Sequence, residues 1–288
     1  MGNFKYQISP IIPTSNFNTI GIFDDQYIHS TNSALDDFTE KRRALFILLS
    51  PYQHNITQVP YELTNMVLLG CVSAVESYIR KILRNIINVD KSSSVKCAKE
   101  TIKYGAVLYH SDKNMLPEAL LEGYSFANGN NIKEAVKKFT GINCESTEIN
   151  VVLKEFSKIC QLRHCIIHRF SLLGLDNAML LGIANHKQYI EKPIKIDFDH
   201  LNEIVQVCEN VVKVINNHLF CEVLERTYYE KTEIWYSDFR RDKKIFKRYY
   251  SLFKDSSVNI DEKLIYKEFI KTMNNKYGKD YPFRQNCC

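Results

Sequence analysis

Apolar residues recur three and four positions apart through Leu68, Val72, Val75, Ile79, Leu83 and Ile86, the spacing of one helix face. A second stripe of the same period runs through Leu201, Ile204, Cys208, Val211, Ile215 and Leu219. Only 10 Gly and 7 Pro interrupt 288 residues, so the chain is expected to be all-α, a helical bundle. The pattern predicts helices over 33–49, 61–88, 95–109, 131–139, 148–170 and 199–226, with Pro60 opening the second and Asp199 capping the last. The runs "NAMLLGIA" and "PIKIDF" predict a small strand or loop excursion after the helix ending near Phe170. The expected organisation is an N-terminal arm and first helix over 1–60, a helical domain over 61–227, and a basic extension over 228–288.

Charge is unevenly placed. Residues 228–288 carry 14 Lys+Arg against 9 Asp+Glu, leaving 24 of each over residues 1–227, so this extension holds the whole surplus of +5. Its densest part, "FRRDKKIFKR", contains Arg240, Arg241, Lys243, Lys244, Lys247 and Arg248. Trp235, Tyr236, Phe239, Phe246, Tyr249 and Tyr250 are interleaved with them. Cations among aromatics suit a phosphate backbone with stacked bases; a solvated face of an amphipathic helix has the same pattern.

The longest strongly apolar run, Met66 to Val75, is shorter than the roughly 20 residues a membrane span needs. The N-terminus has no secretion-signal pattern. Met1-Gly2 opens like a myristoylation site, but Tyr6 stands where Ser or Thr is wanted. The Cys287-Cys288 ending is an isolated hint of lipidation. Nine cysteines without CxxC pairs read as reduced packing thiols, and the expected location is cytoplasmic, with no membrane partner.

The stretch "CQLRHCIIHRF", residues 160–170, sets Arg163, His164 and His168 among Leu162, Ile166, Ile167 and Phe170. With Ile159 as origin and about 100° per residue, Arg163 falls at about 40°, near the core face. His164 and His168, four apart, share the opposite side. Three readings fit. These are a surface His pair with a salt-bridging Arg, a zinc stripe through Cys160, His164 and His168 that lacks an evident fourth ligand, and ribonuclease chemistry. Metal-free phosphodiester cleavage needs a base for the 2'-OH, an acid for the leaving 5' oxygen and a fixed cation for the phosphorane. His supplies the first two near neutral pH and Arg the third.

Arg163, four intervening residues, then His168 resembles the Arg-x4–6-His motif of the higher eukaryotes and prokaryotes nucleotide-binding (HEPN) superfamily. His164 fills the polar position after the Arg. The earlier amphipathic segment "LLGCVSAVESYIRKILRNII", and Gly174 shortly after "RHCIIHR", look like the stand-alone bacterial defence branch. The likeness spans roughly 61–226. It implies a metal-independent endoribonuclease without cofactor, cutting RNA, tRNA among the candidates, to 2',3'-cyclic phosphate ends across a homodimer interface. In that reading Arg163 engages the scissile phosphate, His168 transfers protons and His164 supports them. The wider implication is anti-phage defence or growth arrest, with an antitoxin, a phage trigger or a second defence component as partner. A non-catalytic nucleotide- or partner-binding module of the same family is the alternative.

Glu76 interrupts the apolar second helix. It reads either as an i,i+4 partner of Arg80 or as a carboxylate orienting the motif from a facing helix. Arg169 joins Arg240, Arg241, Lys243, Lys244, Lys247 and Arg248 as an expected RNA contact. His29, His54, His110, His186, His200 and His218 are assigned no role. No phosphate-cradling Gly loop, HExxH, nucleophile elbow or paired CxxC is present, so the common NTPase, metalloprotease and serine-hydrolase signatures are missing.

Overall fold

A computed structural model describes residues 8–9, 17–52, 59–110 and 112–278. Met1-Gly2, Tyr6, His54 and Cys287-Cys288 lie outside these. Contacts divide the chain into two compact units, Met1–Thr31 and Asn32–Cys288. In the first, the described residues include one short 3-10 turn, Ile20–Ile22, and an edge-to-face contact of the Tyr27 and His29 rings.

The second unit is all-helical, with no named strand among the described residues. Its helices are α1 (Ala34–Ile47), α2 (Tyr61–Val89), α3 (Lys91–Cys97), α4 (Tyr104–Tyr109), α5 (Leu116–Leu121) and α6 (Gly129–Thr140). They continue with α7 (Thr147–Arg169), α8 (Leu175–His186), α9 (Phe198–Tyr229), α10 (Phe239–Phe253) and α11 (Glu262–Tyr277). Among the described residues none is long and apolar enough to cross a membrane.

The long helix α2 is the axis of the core. Its predicted stripe, from Leu68 to Ile86, is buried along its length. Each such side chain contributes about 1.5–3 kcal/mol when removed from water. Helices α1, α7, α9 and α10 pack around α2. On the α1 side Leu45 lies over Gly70: a Cβ there would stand 2.4 Å from Leu45 Cδ2, so any larger residue would push that side chain aside. The Tyr78 hydroxyl lies 3.2 Å from Asn216 Oδ1 on α9, and Asn216 Nδ2 donates to Phe253 O at the end of α10. One buried polar chain thus joins three helices.

Local chemistry sets the helix starts. Ser33, Asp90, Asn128, Ser146 and Asp197 each accept a backbone N–H of the first turn through their side chains. The last corrects the expectation at Asp199: the cap of α9 is Asp197, and Asp199 lies inside the first turn. Helix α2 begins right after Pro60, as expected, with Pro60 at its cap position. The single helix expected over 95–109 is two: Asp90 caps α3, which ends at Cys97, and α4 starts anew at Tyr104. Gly141, at φ 79°, closes α6 in the left-handed conformation.

Two further expectations change. "NAMLLGIA" is not strand or loop but most of α8, kinked where Gly182 takes φ 105°. The excursion that remains is the extended stretch around "PIKIDF", where Leu172 and Pro193 form an isolated antiparallel bridge. The C-terminal segment packs through its aromatics: Trp235, Phe246 and Tyr249 are fully buried against α9, α2 and α11. Asp242, also buried, accepts from the Tyr236 N–H (3.0 Å) and the Tyr266 hydroxyl (2.6 Å).

Candidate active site

Helix α7 carries the histidine stretch. Ile149, Leu153, Phe156, Ile159 and Ile166 form its buried face, and the helix stays regular through Arg169. It stops because Phe170 (φ 49°) and Ser171 (φ 73°) both turn left-handed, unusual for side chains of their kind. The reversal is held from several directions. Ser171 N–H donates to Cys165 O, Asn65 Nδ2 of α2 donates to Ser171 Oγ at 3.0 Å, and Ile194 N–H donates to Ser171 O at 2.8 Å. The end of the motif helix is therefore fixed to α2 and to the extended stretch.

His164 and His168 are both exposed, with ring centroids 4.6 Å apart and planes inclined by 48°. Asn177, buried on α8, lies 3.3 Å from His164 Nδ1. Its Nδ2 donates to Gln161 Oε1 at 2.9 Å and also lies 3.3 Å from His164 Nδ1, so the amide meets the imidazole through both of its polar atoms. In the tautomer whose Nδ1 donates to the amide oxygen, Nε2 is the basic nitrogen. Sequence reasoning missed Asn177. Its only local signal was a polar residue three positions after Gly174, and nothing in that signal points to His164.

Arg163 is half-buried and has no hydrogen bond or ion pair among the described residues. Arg163 and Glu76 act oppositely on Cys160: burial, and then the Glu76 charge, push its thiol up to about 12, while Arg163 pulls it down. A partly buried guanidinium without a carboxylate partner is a ready anion site. Arg163 and His168, five residues apart on a straight helix, are about 140° apart around its axis and about 7.5 Å apart along it. One copy does not bring them together.

Several expected residues have other partners. Glu76 Oε1 accepts the Phe126 N–H at 3.0 Å, and no hydrogen bond joins it to Arg163, His164 or His168 among the described residues. Nor does it pair with Arg80, which donates to Leu121 O and Tyr124 O and reaches Glu118. Glu76 thus holds the α5–α6 connection to α2. Arg169 Nη2 donates to both carboxylate oxygens of Glu191, at 2.7 and 2.8 Å. Gly174 makes room for it: a Cβ there would stand 2.7 Å from Arg169 Nη1.

The zinc stripe is not formed. Cys160 is buried while His164 and His168 face outward, and no group of three metal-ligating side chains occurs among the described residues.

On α10, Arg240, Arg241, Lys243, Lys244, Lys247 and Arg248 are exposed as expected. Arg248 pairs with Glu233, Lys247 with Glu262 at 3.5 Å, and Arg241 covers the Tyr236 ring at 3.4 Å. The aromatics expected to stack bases are otherwise engaged: Trp235, Phe246 and Tyr249 are buried, and Phe239 and Tyr250 pack on Tyr266 and Phe246.

Around the histidines the surface is apolar. Ile167, Phe170, Leu175, Met179, Leu180 and Ile183 are all exposed, Phe170 by 87%. Helix α8 buries only Asn177 and Ala178. A helix apolar on several sides but packed on one presents a surface suited to a partner.

Comparison with protein-family models, with curated proteins and with solved structures finds no match.

Proposed function

We propose that this chain is a metal-independent endoribonuclease of HEPN type that works as a homodimer. The observation that carries the reading is an unpaired Arg163 on the same helix as the exposed, adjacent pair His164 and His168, at the edge of an uncovered apolar surface. In the proposed reaction the ribose 2' oxygen attacks phosphorus as a base takes its proton. The P–O5' bond breaks, an acid protonates O5', and a 2',3'-cyclic phosphate and a 5'-OH result. Arg163 stabilises the phosphorane charge, and the two imidazoles transfer the protons. His164, oriented by Asn177, is the better-positioned base; His168 is the acid.

The homodimer answers the angular problem of Arg163 and His168. Two-fold pairing through Ile167, Phe170 and α8 would cover the apolar surface and set Arg163 of one copy against His168 of the other. The biological setting, anti-phage defence or growth arrest in the cytoplasm with a trigger or antitoxin, rests on the family resemblance alone. The alternative, a module that binds a nucleotide phosphate without cutting, uses the same unpaired Arg163.

Incubation of the protein and its His168→Ala variant with total RNA in EDTA separates these. Cleavage by the parent alone, leaving 2',3'-cyclic phosphate ends, is expected. Cleavage that EDTA abolishes would overturn the mechanism.

A further inference from the structure

The six cations of α10 lie far from the motif. Asn65, near the start of α2, bonds Ser171 just past the motif helix. At the other end of α2, Asp90 pairs with Arg226 of α9 at 2.5 Å, and Ser92 bonds Glu230. Three residues on, Glu233 accepts from Tyr249 at 2.9 Å and pairs with Arg248. The α10 stripe therefore flanks the far end of α2. At 1.5 Å per residue, Asn65 to Asp90 is about 37 Å, which puts Arg248, the cation joined to Glu233, roughly 30 Å from His168 along that axis, with the other cations on the same helix.

The stripe is rigid and its charge is in surplus. Tyr249, Phe246 and Asp242 fasten α10 from its buried side, so the cations stand on a fixed helix rather than a loose tail. Glu262 and Glu233 answer Lys247 and Arg248. Arg240, Lys243 and Lys244, on one face at i, i+3 and i+4, have no carboxylate partner among the described residues. Trp235, Phe246 and Tyr249 are buried, Phe239 and Tyr250 half-buried, and Arg241 covers the exposed Tyr236 ring, so little open ring is left for single-stranded bases. What remains is cationic and flat, a match for the phosphates of a duplex, recognised by shape and charge.

We infer that α10 is a second RNA contact that grips duplex remote from the cut, so that the substrate class is structured RNA with about ten base pairs or more between the two points. The inference rests on the ribonuclease reading. It makes the long substrate, not the cleaved dinucleotide, the source of affinity.

The test measures fluorescence anisotropy in the His168→Ala background, with an RNA duplex of about 20 base pairs and a single-stranded RNA of about six nucleotides. Arg240→Glu, Lys243→Glu and Lys244→Glu combined should weaken duplex binding at least about tenfold. The slope of log affinity against log salt should fall by about 2 to 3, and the preference for the duplex should collapse. The corresponding triple Gln variant should lie between. Equal duplex affinity in parent and triple Glu variant, at unchanged melting temperature, would overturn the inference. So would a stripe-dependent attachment to phosphatidylserine vesicles without one to duplex. Because binding is read without cleavage, the two ideas fail separately. A protein that grips duplex through α10 but never cuts RNA sinks the ribonuclease reading. One that cuts RNA but ignores the stripe sinks this inference.

Discussion

The imidazoles of His164 and His168 stand 4.6 Å apart, centroid to centroid, one turn apart on the exposed side of α7. His164 is tied to Asn177, whereas among the described residues His168 has only its neighbour's ring. The pair therefore combines one oriented imidazole with one free to follow a substrate.

Replacing either ring should stop the chemistry without harming the fold, since both are exposed. His164→Ala and His168→Ala are each expected to lose about 100-fold or more in cleavage rate. The melting temperature of His168→Ala should match the parent, and that of His164→Ala, which leaves the buried Asn177 amide short of one partner, should fall no further than that of Asn177→Ala. Full activity in His168→Ala would remove it from the reaction.

Arg163→Lys keeps a positive charge and loses the planar fork. Cleavage should fall by about two orders of magnitude while RNA binding changes little. A variant as fast as the parent would show that Arg163 only supplies charge.

Asn177→Ala removes the buried amide that joins His164 to Gln161. Its expected cost is about 1–2 kcal/mol of stability. In single-turnover kinetics kcat should drop about tenfold with KM held, the mark of a positioning residue. A change in KM alone would contradict that role.

The composite site makes a mixing prediction. Arg163→Ala and His168→Ala are each inactive, but co-refolded together they should recover about a quarter of the parent activity, from the one intact site in each mixed dimer. No recovery would mean that both groups act from the same copy. Met179→Glu with Leu180→Glu should give monomers by light scattering and abolish cleavage, because both apolar side chains are exposed on α8.

Buried thiols predict the alkaline limit. Burial pushes Cys71 and Cys144 up to about 11 and Cys160 up to about 12, from an ordinary 9.0. The raised values mean that the folded state favours the neutral thiol. Its contribution is complete below about pH 9 and is lost as pH rises towards 11–12. The melting temperature should be level from about pH 7 to 8.5 and fall beyond. In native protein near pH 8, iodoacetamide should leave Cys160 unlabelled until denaturant is added.

What the sequence determined by itself was the set of core helices, α1, α2, α6, α7 and α9, while α8, α10 and α11 were not among those foreseen. The stripes of α2 and α9 follow from 3.6 residues per turn, and an acidic cap placed the start of α9 within two positions, at Asp199 where the structure has Asp197. The nearness of His164 to His168 was equally local, being one helical turn. Tertiary structure decided the rest. Glu76 binds a backbone N–H fifty residues away, Arg169 meets Glu191 across the α8 excursion, and Asn177 reaches His164 from another helix. The aromatics of α10 showed a helical period in the sequence, but period alone says only that one face differs from the other. Burial of Phe246 and Tyr249 against α2 and α9 left the cations outside. Periodicity is a property of one helix, whereas the partner of a polar group is chosen by whichever element the fold brings within about 3 Å of it.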